Sequence, residues 1–293
     1  MDLRSNGGGL LEEAISLSGL FIDKGPVVQV KDSRGVSHRN DDEGGVVWDG
    51  PLVVLTNRLS ASASEIFAGV IRDYDRGLLI GDVSTYGKGS VQNILMLNEW
   101  LREPELPEMG GLRLTIQQFY RANGESTQIK GVEPHIHIPS QFDQMDKLSE
   151  AQMESAMKFD KVPALPHDQY RRVPAELVAE LDQRSEARRK AHPKFQRLDK
   201  AIAKMIERKQ RHEIPLNEAK YRAESVVDDQ DDPNKAGDID PKPGKKKRAS
   251  ERTAWEPGFY NDEVMNIVAD YLTLGSKVLA STPIRTTATR PSR

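Results

Sequence analysis

The chain has no cysteine, which excludes thiol nucleophiles, disulfide frameworks and thiolate metal sites while leaving the redox compartment open. Long apolar runs are also absent: no stretch approaches the ~18 consecutive apolar residues that a membrane-spanning helix needs. Neither sign of charge is in excess, because 42 basic and 45 acidic residues among 293 give a net charge of −3. The overall charge therefore supplies no reason to bind nucleic acid or an anionic bilayer.

Aromatic residues make up only 6% of the chain, so a packed core accounts for part of it only. The pattern of that core lies in the first 140 residues. Apolar residues recur at helical spacing over 10–20 and 60–74, and continuous apolar strands stand at 51–55 and 78–80 on either side of the second helix. Strand, helix and strand in this order indicate a parallel α/β unit.

Further strands are indicated around this unit. A β-branched strand occupies 26–30, residues 31–45 form a loop or a hairpin, and strands follow at 91–97 and 112–119. Asn123-Gly124 then predicts a hairpin turn.

After Pro139 the composition changes to charged, alanine-rich segments that predict helices at 144–159 and 175–206, with a last helix at 262–274. The run between 227 and 249 has almost nothing to bury and is predicted to be disordered. We therefore divide the chain into an α/β core at 1–140, a helical domain at 141–226, a disordered charged linker at 227–252, a terminal helix at 253–280 and a disordered tail at 281–293.

Three features are candidates for chemistry. The first is the serine cluster Ser60, Ser62 and Ser64, which follows a buried strand and opens a helix. The free N–H groups and positive dipole end of that helix would stabilise an oxyanion beside a nucleophilic serine. Serine is also common as an N-cap before a helix, so position alone leaves both interpretations open.

The second feature is Lys88, held between Gly87 and Gly89 just after a strand. A solvated loop lysine and a phosphate-binding loop are the rival interpretations. The latter needs G-x-x-x-x-G-K-[ST] at the start of a helix, and this segment departs from it in spacing and in the glycine after the lysine. The third feature is the glycine run 7–9 at a strand-to-helix turn, which suits either an anion cradle or a wall of oxyanion donors.

The histidines bear on which base such a serine would use. His38 lies in a polar loop, whereas His135 and His137 alternate along a strand. Two imidazoles on one strand face suit a metal, but the sequence places no third ligand near them. A lysine base is the better candidate. Lys88 accepts a proton only in its uncharged form, which requires burial away from water, and its glycine neighbours permit that burial.

Three blocks of sequence together resemble the C-terminal processing peptidases, also called tail-specific proteases. They are Asp2-Leu3-Arg4-Ser5-Asn6-Gly7-Gly8-Gly9, Ser60-Ala61-Ser62-Ala63-Ser64-Glu65-Ile66-Phe67-Ala68 and Tyr86-Gly87-Lys88-Gly89-Ser90-Val91-Gln92. The resemblance continues through 117–121 and 130–134, and it extends weakly into the helical C-terminal domain of the long, Gram-negative periplasmic branch.

The resemblance implies an α/β catalytic core of crotonase-like or ClpP-like βα units with parallel strands, followed by a mostly α-helical C-terminal domain. It implies a serine endopeptidase that recognises the unstructured, apolar C-terminal tail of its substrate and uses a Ser–Lys dyad, with no metal and no cofactor. The residues it assigns are the nucleophile Ser62, the base Lys88, the orienting Gln92, the supporting Asp73, and oxyanion donors on Ala63 and on Gly7 or Gly8. The implied partners are proteins or peptides with exposed C-termini, an adaptor protein and, peripherally, the inner-membrane surface, but no nucleic acid.

The chain departs from full-length members of that family at its start. No export signal and no PDZ module precede Asp2, so we expect an N-terminally truncated form of a periplasmic protein, whose short first strand leaves its neighbour's backbone unpaired. His135-Ile136 stands where the family often has Asp-Ile. An incomplete core leaves open the alternative of a catalytically inactive binding fragment. The basic run 245–248 suggests a nucleic-acid patch, but beside an acidic run it is predicted to be a solvated linker.

Overall fold

The computed structural model describes residues 1–101, 107–145, 148–211, 216–222, 255 and 257–279. The strands are β1 (Gly25–Asp32), β2 (Gly35–Asp41), β3 (Val53–Thr56), β4 (Leu78–Gly81), β5 (Ser90–Met96), β6 (Gly111–Tyr120) and β7 (Ile136–His137). The helices are α1 (Leu11–Ser18), α2 (Ala63–Asp73), α3 (Leu97–Leu101), α4 (Ala175–Ala191), α5 (Pro193–Arg211) and α6 (Phe259–Leu279).

A parallel sheet with the strand order β3-β4-β7 lies between two helical layers. Its middle strand, β4, is buried along its whole length, which explains the continuous apolar run that the sequence showed. Alternate side chains of β4 face opposite layers. Leu79 packs in a cluster with α2, whereas Leu78 and Ile80 pack in a cluster with the C-terminal helices.

Residues 1–3 extend this sheet beyond β3. The Leu3 N–H donates to Leu55 O at 2.9 Å, and the Leu55 N–H donates to Met1 O at 2.9 Å. The terminal ammonium of Met1 donates to Val53 O at 2.7 Å. The expectation that the first strand leaves its neighbour's backbone unpaired is therefore wrong at these positions, and the bonds fix the start of the glycine turn that follows.

An antiparallel sheet with the order β2-β1-β6-β5 forms a separate layer. The segment 31–45, which the sequence left open as a loop or a hairpin, forms a hairpin in which Asp32 pairs with Gly35. Strand β5 pairs with β6 along its length. The sequence indicated these strands but not that they share one sheet.

Helix α2 lies between the two sheets. Phe67 and Ile71 pack toward the parallel sheet in the cluster that contains Leu79. Ile66 and Val70 pack in a second cluster with residues of β1 and β6. Because both sides of α2 are covered, the first turn of this helix is held against both sheets at once.

Helices α4, α5 and α6 cover the other face of the parallel sheet through a cluster that includes Leu181 and Ile267. Arg188 of α4 forms ion pairs with two residues of α6, Glu263 at 2.9 Å and Asp270 at 2.6 Å. The C-terminal part of the chain is therefore docked on the parallel sheet, on the face opposite to α2.

The boundaries of these helices differ from the sequence-based ones. The single helix predicted at 175–206 is two helices, because Pro193 begins α5 and His192 before it is extended, with φ −89° and ψ 121°. The last helix, predicted at 262–274, is present and is longer at both ends.

The prediction of a helix at 144–159 is wrong. Short 3-10 turns form at Gln141–Gln144 and Glu150–Gln152, and no α-helix occurs in the described residues before α4 in this region. The predicted helical domain therefore begins its α-helices only at Ala175, while its boundary at 141 stays a prediction.

Residues 148–173, which we call the connecting segment, lie against the α/β core instead. The Glu150 N–H donates to Tyr86 O at 2.9 Å, and the Tyr170 N–H donates to Tyr74 O at 2.8 Å. These tertiary partners take up backbone groups that a helix would have paired internally, which is how tertiary contacts override a weak local propensity.

Two regions of the sequence-based division, the disordered linker at 227–252 and the tail at 281–293, lie outside the described residues, as does the basic run 245–248. Within the described ranges, no helix has the length and apolarity that crossing a membrane requires.

Candidate active site

A cavity of about 320 Å³ lies where the start of α2 faces β5 and β6. It brings together four of the residues that the resemblance assigned to the site, which are Ser62, Ala63, Lys88 and Gln92. Its remaining lining comes from Gly9, Leu11, Ile66, Ser90, Val91, Ile94, Arg113 and Phe119. A serine and a lysine from distant segments thus share one recess.

Ser62 has an unusual backbone conformation at the N-cap of α2. Its φ is 57° and its ψ is −116°, a region that a residue with a side chain rarely adopts and that costs of order 1–3 kcal/mol unless its surroundings impose it. The surroundings are close: a Cβ on Gly8 would lie 2.6 Å from Ala61 O and 2.9 Å from the Ser62 Cβ. Only glycine fits against this turn.

The other two serines of the cluster have structural partners. The Ser60 hydroxyl donates to Leu3 O at 2.8 Å and accepts from the Asn57 N–H at 2.9 Å. The Ser64 hydroxyl donates to Asn6 O at 3.0 Å. Both therefore tie the start of α2 to the first strand and the turn after it, and Ser62 is the member of the cluster that lines the cavity.

The loop that carries Lys88 is shaped by its two glycines. Gly87 has a φ of +92°, and a Cβ there would lie 2.9 Å from Ile129 O, while a Cβ on Gly89 would lie 2.7 Å from the Gln128 N. On the far side of the loop, the Lys88 Nζ donates to Gln92 Oε1 at 3.4 Å. The contact that the resemblance assigned to Gln92 is thus present.

Sequence reasoning missed Glu65, which joins the serine turn to the lysine loop. Its side chain is fully buried. Oε1 accepts from the Thr85 hydroxyl at 2.6 Å and from the Gly87 N–H at 2.7 Å. Oε2 accepts from the Ser62 N–H at 2.7 Å and from the Lys88 N–H at 3.0 Å. The signal was available, because a glutamate three residues after a helix-capping serine has capping-box spacing.

The burial of Glu65 has an electrostatic consequence. Removal from water raises the pKa of this carboxyl from 4.5 to about 7, against the four hydrogen bonds that act to lower it. A proton on Oε2 would face only N–H donors, and a proton on Oε1 would have to reverse the hydrogen bond from the Thr85 hydroxyl, so the ionised form is the one that accepts all four contacts.

The predicted oxyanion donors are only partly brought together. The N–H of Ala63 lies in the first turn of α2, where helical N–H groups have no partner within the helix, and Ala63 lines the cavity. The Gly8 N–H donates to Asn6 Oδ1 at 3.0 Å, inside its own turn. Gly7 does not line the cavity, whereas Gly9, the last residue of the glycine run 7–9, does.

Asp73 is not part of this cavity. Helix α2 carries it about three turns, roughly 16 Å, beyond Ser62. Its carboxylate forms a buried ion pair with Arg121, with a second contact of 3.2 Å from the guanidinium Nε, and burial raises the pKa of the carboxyl. Arg121 also lies along Gly69 of the same helix. Any effect of Asp73 on the site therefore passes through the position of α2.

The histidine pair is divided between two environments. The His135 Nδ1 accepts from the Leu79 N–H at 2.9 Å, and burial lowers the pKa of this imidazole to about 3, so it is neutral. The His137 Nε2 lies 2.9 Å from Asp143 Oδ2. No group of three or more residues able to hold a metal ion occurs in the part of the chain that the structure describes.

Comparison with known proteins gives matches across most of the chain. Residues 1–138 match peptidase family S41, and residues 144–273 match the C-terminal domain of tail specific protease. The chain is 36% identical to the tail-specific protease of Haemophilus influenzae over 94% of its own length and 40% of that protein. It is 40% identical to the carboxy-terminal-processing protease of Bartonella bacilliformis over 47% of its own length and 30% of that protein.

Among solved structures, the photosystem II D1 C-terminal processing protease is 33% identical over 47% of this chain and 33% of its own, with a TM-score of 0.41. The chain thus spans less than half the length of the relatives named here.

The α/β core and the helical C-terminal part each match a region of known proteases. The chain belongs to peptidase family S41, in the group of tail-specific or C-terminal processing proteases. The resemblance inferred from the three sequence blocks is confirmed, as is the α/β core followed by a helical C-terminal portion.

Glu65→Gln should disorder the site while leaving the fold intact. The amide replaces one acceptor oxygen by a donor that faces N–H groups, and each buried donor left unpaired costs about 1–3 kcal/mol. We expect the rate at which a fluorophosphonate labels Ser62 to fall at least tenfold. Glu176→Gln, at an exposed position in the first turn of α4, is the matched control. Labelling of Glu65→Gln at the wild-type rate would show that this carboxylate does not hold the serine turn.

Glu65 should also give the chain a pH-dependent stability. Its pKa of about 7 in the folded state exceeds 4.5, so the folded state binds more protons between these values and the free energy of unfolding falls as pH rises from 4.5 to 7. The loss is on the order of 3 kcal/mol. Urea unfolding of wild type and Glu65→Gln at pH 5, 6, 7 and 8 measures it, because the Gln variant lacks this slope. A wild-type-minus-variant difference that stays constant with pH would contradict the expectation.

Proposed function

We propose that this chain carries the catalytic unit of a serine endopeptidase in which Ser62 is the nucleophile and Lys88 the general base. The observation that carries the proposal is the shared cavity, in which Ser62 and Lys88 both form the wall and the Lys88 amine is held by Gln92 at 3.4 Å. No histidine of the described residues lines this cavity, which supports a lysine base over an imidazole.

Acylation follows from this geometry. The uncharged amine of Lys88 takes the proton from the Ser62 hydroxyl as Oγ bonds to the carbonyl carbon of the scissile peptide. The Ala63 N–H, with an N–H of the glycine turn, stabilises the oxyanion that forms. The tetrahedral intermediate then collapses, the C–N bond breaks, and the lysine ammonium gives its proton to the leaving amine. The product of this half-reaction is an ester on Ser62.

Hydrolysis of that ester repeats the sequence with water. Lys88, uncharged again, takes a proton from water as its oxygen bonds to the ester carbon, and it returns the proton to the Ser62 oxygen as the acyl group leaves. Gln92 and Glu65 act as positioning residues, because Gln92 holds the amine and Glu65 holds the backbone on both sides of the cavity. Asp73 positions α2 through its ion pair with Arg121.

The substrate class follows from the relatives. Tail-specific and C-terminal processing proteases are the proteins that the chain is similar to, and we propose that this chain serves the same chemistry on proteins with exposed, apolar C-terminal tails. By the same reasoning we propose that the longer protein works in the periplasm, with an adaptor protein and peripheral contact with the inner membrane.

Labelling with a fluorophosphonate tests the nucleophile directly. The native chain should be labelled, Ser62→Ala should not, and Ser60→Ala and Ser64→Ala should keep most of the labelling, because their hydroxyls bond to backbone rather than line the cavity. Mass spectrometry of the tryptic peptide 59–72, which holds all three serines, locates the adduct. A native chain that is not labelled would favour the inactive binding fragment, and labelling of Ser62→Ala would reject the assignment.

Lys88→Arg tests the base. Arginine keeps the positive charge and length but does not release a proton near neutral pH, so proteolysis of an unfolded substrate should fall as far as in Lys88→Ala, at least about a hundredfold. The matched control is Lys130→Arg, at an exposed lysine outside the cavity. Substantial turnover by Lys88→Arg would exclude a lysine base.

A further inference from the structure

Among the residues that the structure describes, the cavity at Ser62 is lined by two basic side chains and by no acidic one. Lys88 and Arg113 are among its lining residues, and none of the others is Asp or Glu. Lys88 is held by Gln92. The Arg113 guanidinium, by contrast, has no hydrogen bond or ion pair within the described part of the chain. A strongly basic donor group is therefore open beside the proposed nucleophile.

Strand pairing places the Arg113 side chain on the face of the sheet that lines the cavity. Arg113 of β6 pairs directly with Ile94 of β5, so the two side chains lie on the same face of the sheet, and both line the cavity. Leu112 and Leu114, on either side of Arg113, take the opposite face by strand alternation. The direction of the Arg113 side chain is thus fixed by the register of β5 on β6.

The same register gives its distance from the reacting centre. Gln92, which contacts the lysine amine, lies two residues before Ile94 on β5, and two residues of a strand span about 7 Å. An extended substrate also advances about 3.3 Å per residue. Arg113 therefore faces the substrate about two residues from the bond between Ser62 and the scissile carbonyl.

We propose that Arg113 is a specificity-determining residue that selects substrates with a carboxylate about two residues from the scissile bond. The inference rests on the proposed function, because the position is counted from Ser62. A guanidinium presents paired N–H donors that match the two oxygens of a carboxylate, and Ile94 and Phe119 are its apolar neighbours in the cavity wall.

Two sources supply such a carboxylate. One is an Asp or Glu side chain near the cleavage site, and the other is the free C-terminus of a substrate cut close to its end. In both cases a lysine or arginine at the same substrate position is disfavoured, because it would place a second cation beside the Arg113 guanidinium, with no acidic side chain among the described lining residues.

Peptide cleavage by the native chain tests the proposal. The first series of peptides compares Asp with Asn at each of three positions on either side of the cleaved bond. The second series compares a free with an amidated C-terminus that lies two residues from the cleaved bond. In one of the two series, we expect the peptide with the carboxylate to have a kcat/KM at least tenfold higher than that of its neutral partner. This ratio corresponds to about 1.4 kcal/mol. A preference in the first series assigns the side chain, and one in the second assigns the C-terminus.

Variants connect that preference with Arg113. Arg113→Gln should abolish it, and Arg113→Glu should reverse it in favour of Lys at the same position. Arg39→Gln makes the same chemical change at an exposed position of β2, at the far edge of the same sheet and outside the cavity, and should leave the preference intact. A preference that survives Arg113→Gln overturns the proposal.

Binding to Ser62→Ala separates this inference from the proposed function, since it needs no turnover. Carboxylate peptides that bind this variant at least tenfold more tightly than their neutral partners, and lose the difference when Arg113→Gln is added, support the inference even if the native chain cleaves nothing. Cleavage without any carboxylate preference overturns the inference and leaves the proposed function standing. Absence of both cleavage and binding overturns both.

Discussion

The carboxylate of Glu65 is the contact on which the geometry of the site depends. It accepts a hydrogen bond from the Ser62 N–H in the serine turn. From the loop that carries Lys88 it accepts three more, from the Thr85 hydroxyl and from the N–H groups of Gly87 and Lys88. These two segments lie far apart in sequence, and nothing in their local structure sets the distance between them. Because Glu65 sits in the first turn of α2, the dipole of that helix favours its negative charge. Without it, the four donors would lose their acceptor, and those of Thr85 and Gly87 are buried.

The layers of the fold supply the rigid frame that this contact needs. Helix α2 is covered by a sheet on each side, so the strained backbone of Ser62 has no room to relax. The lysine loop is supported from the other direction by Gln128, whose side chain accepts from the Gly89 N–H at 2.9 Å and donates to Glu150 Oε1 and Met157 O, both at 3.1 Å. The connecting segment thus braces the site through one fully buried side chain.

Particular residues show how far sequence reasoning reached. The apolar run at β4 and the helical spacing of α2 gave the parallel unit correctly, because burial on both faces leaves an unambiguous pattern. The prediction of a helix at 144–159 is wrong, since the Glu150 N–H and the Met157 carbonyl of this segment bond to the α/β core, and composition does not record such contacts. Asp73 lies at the end of α2 away from the cavity, and Gly9 rather than Gly7 lines it, because a motif gives order along the chain but not the direction of each group.

The sequence by itself determined the family, the order of the elements and the two residue types proposed to react, since local patterns and motifs are properties of neighbouring residues. Only the tertiary structure decided that Ser62 and Lys88 share a cavity, that Glu65 joins their backbones and that Arg113 faces the same recess. The physical reason is that these relations depend on strand register and on buried hydrogen bonds between segments distant in sequence. Such contacts form only when both sheets close on α2, and the packing that closes them is a property of the whole core.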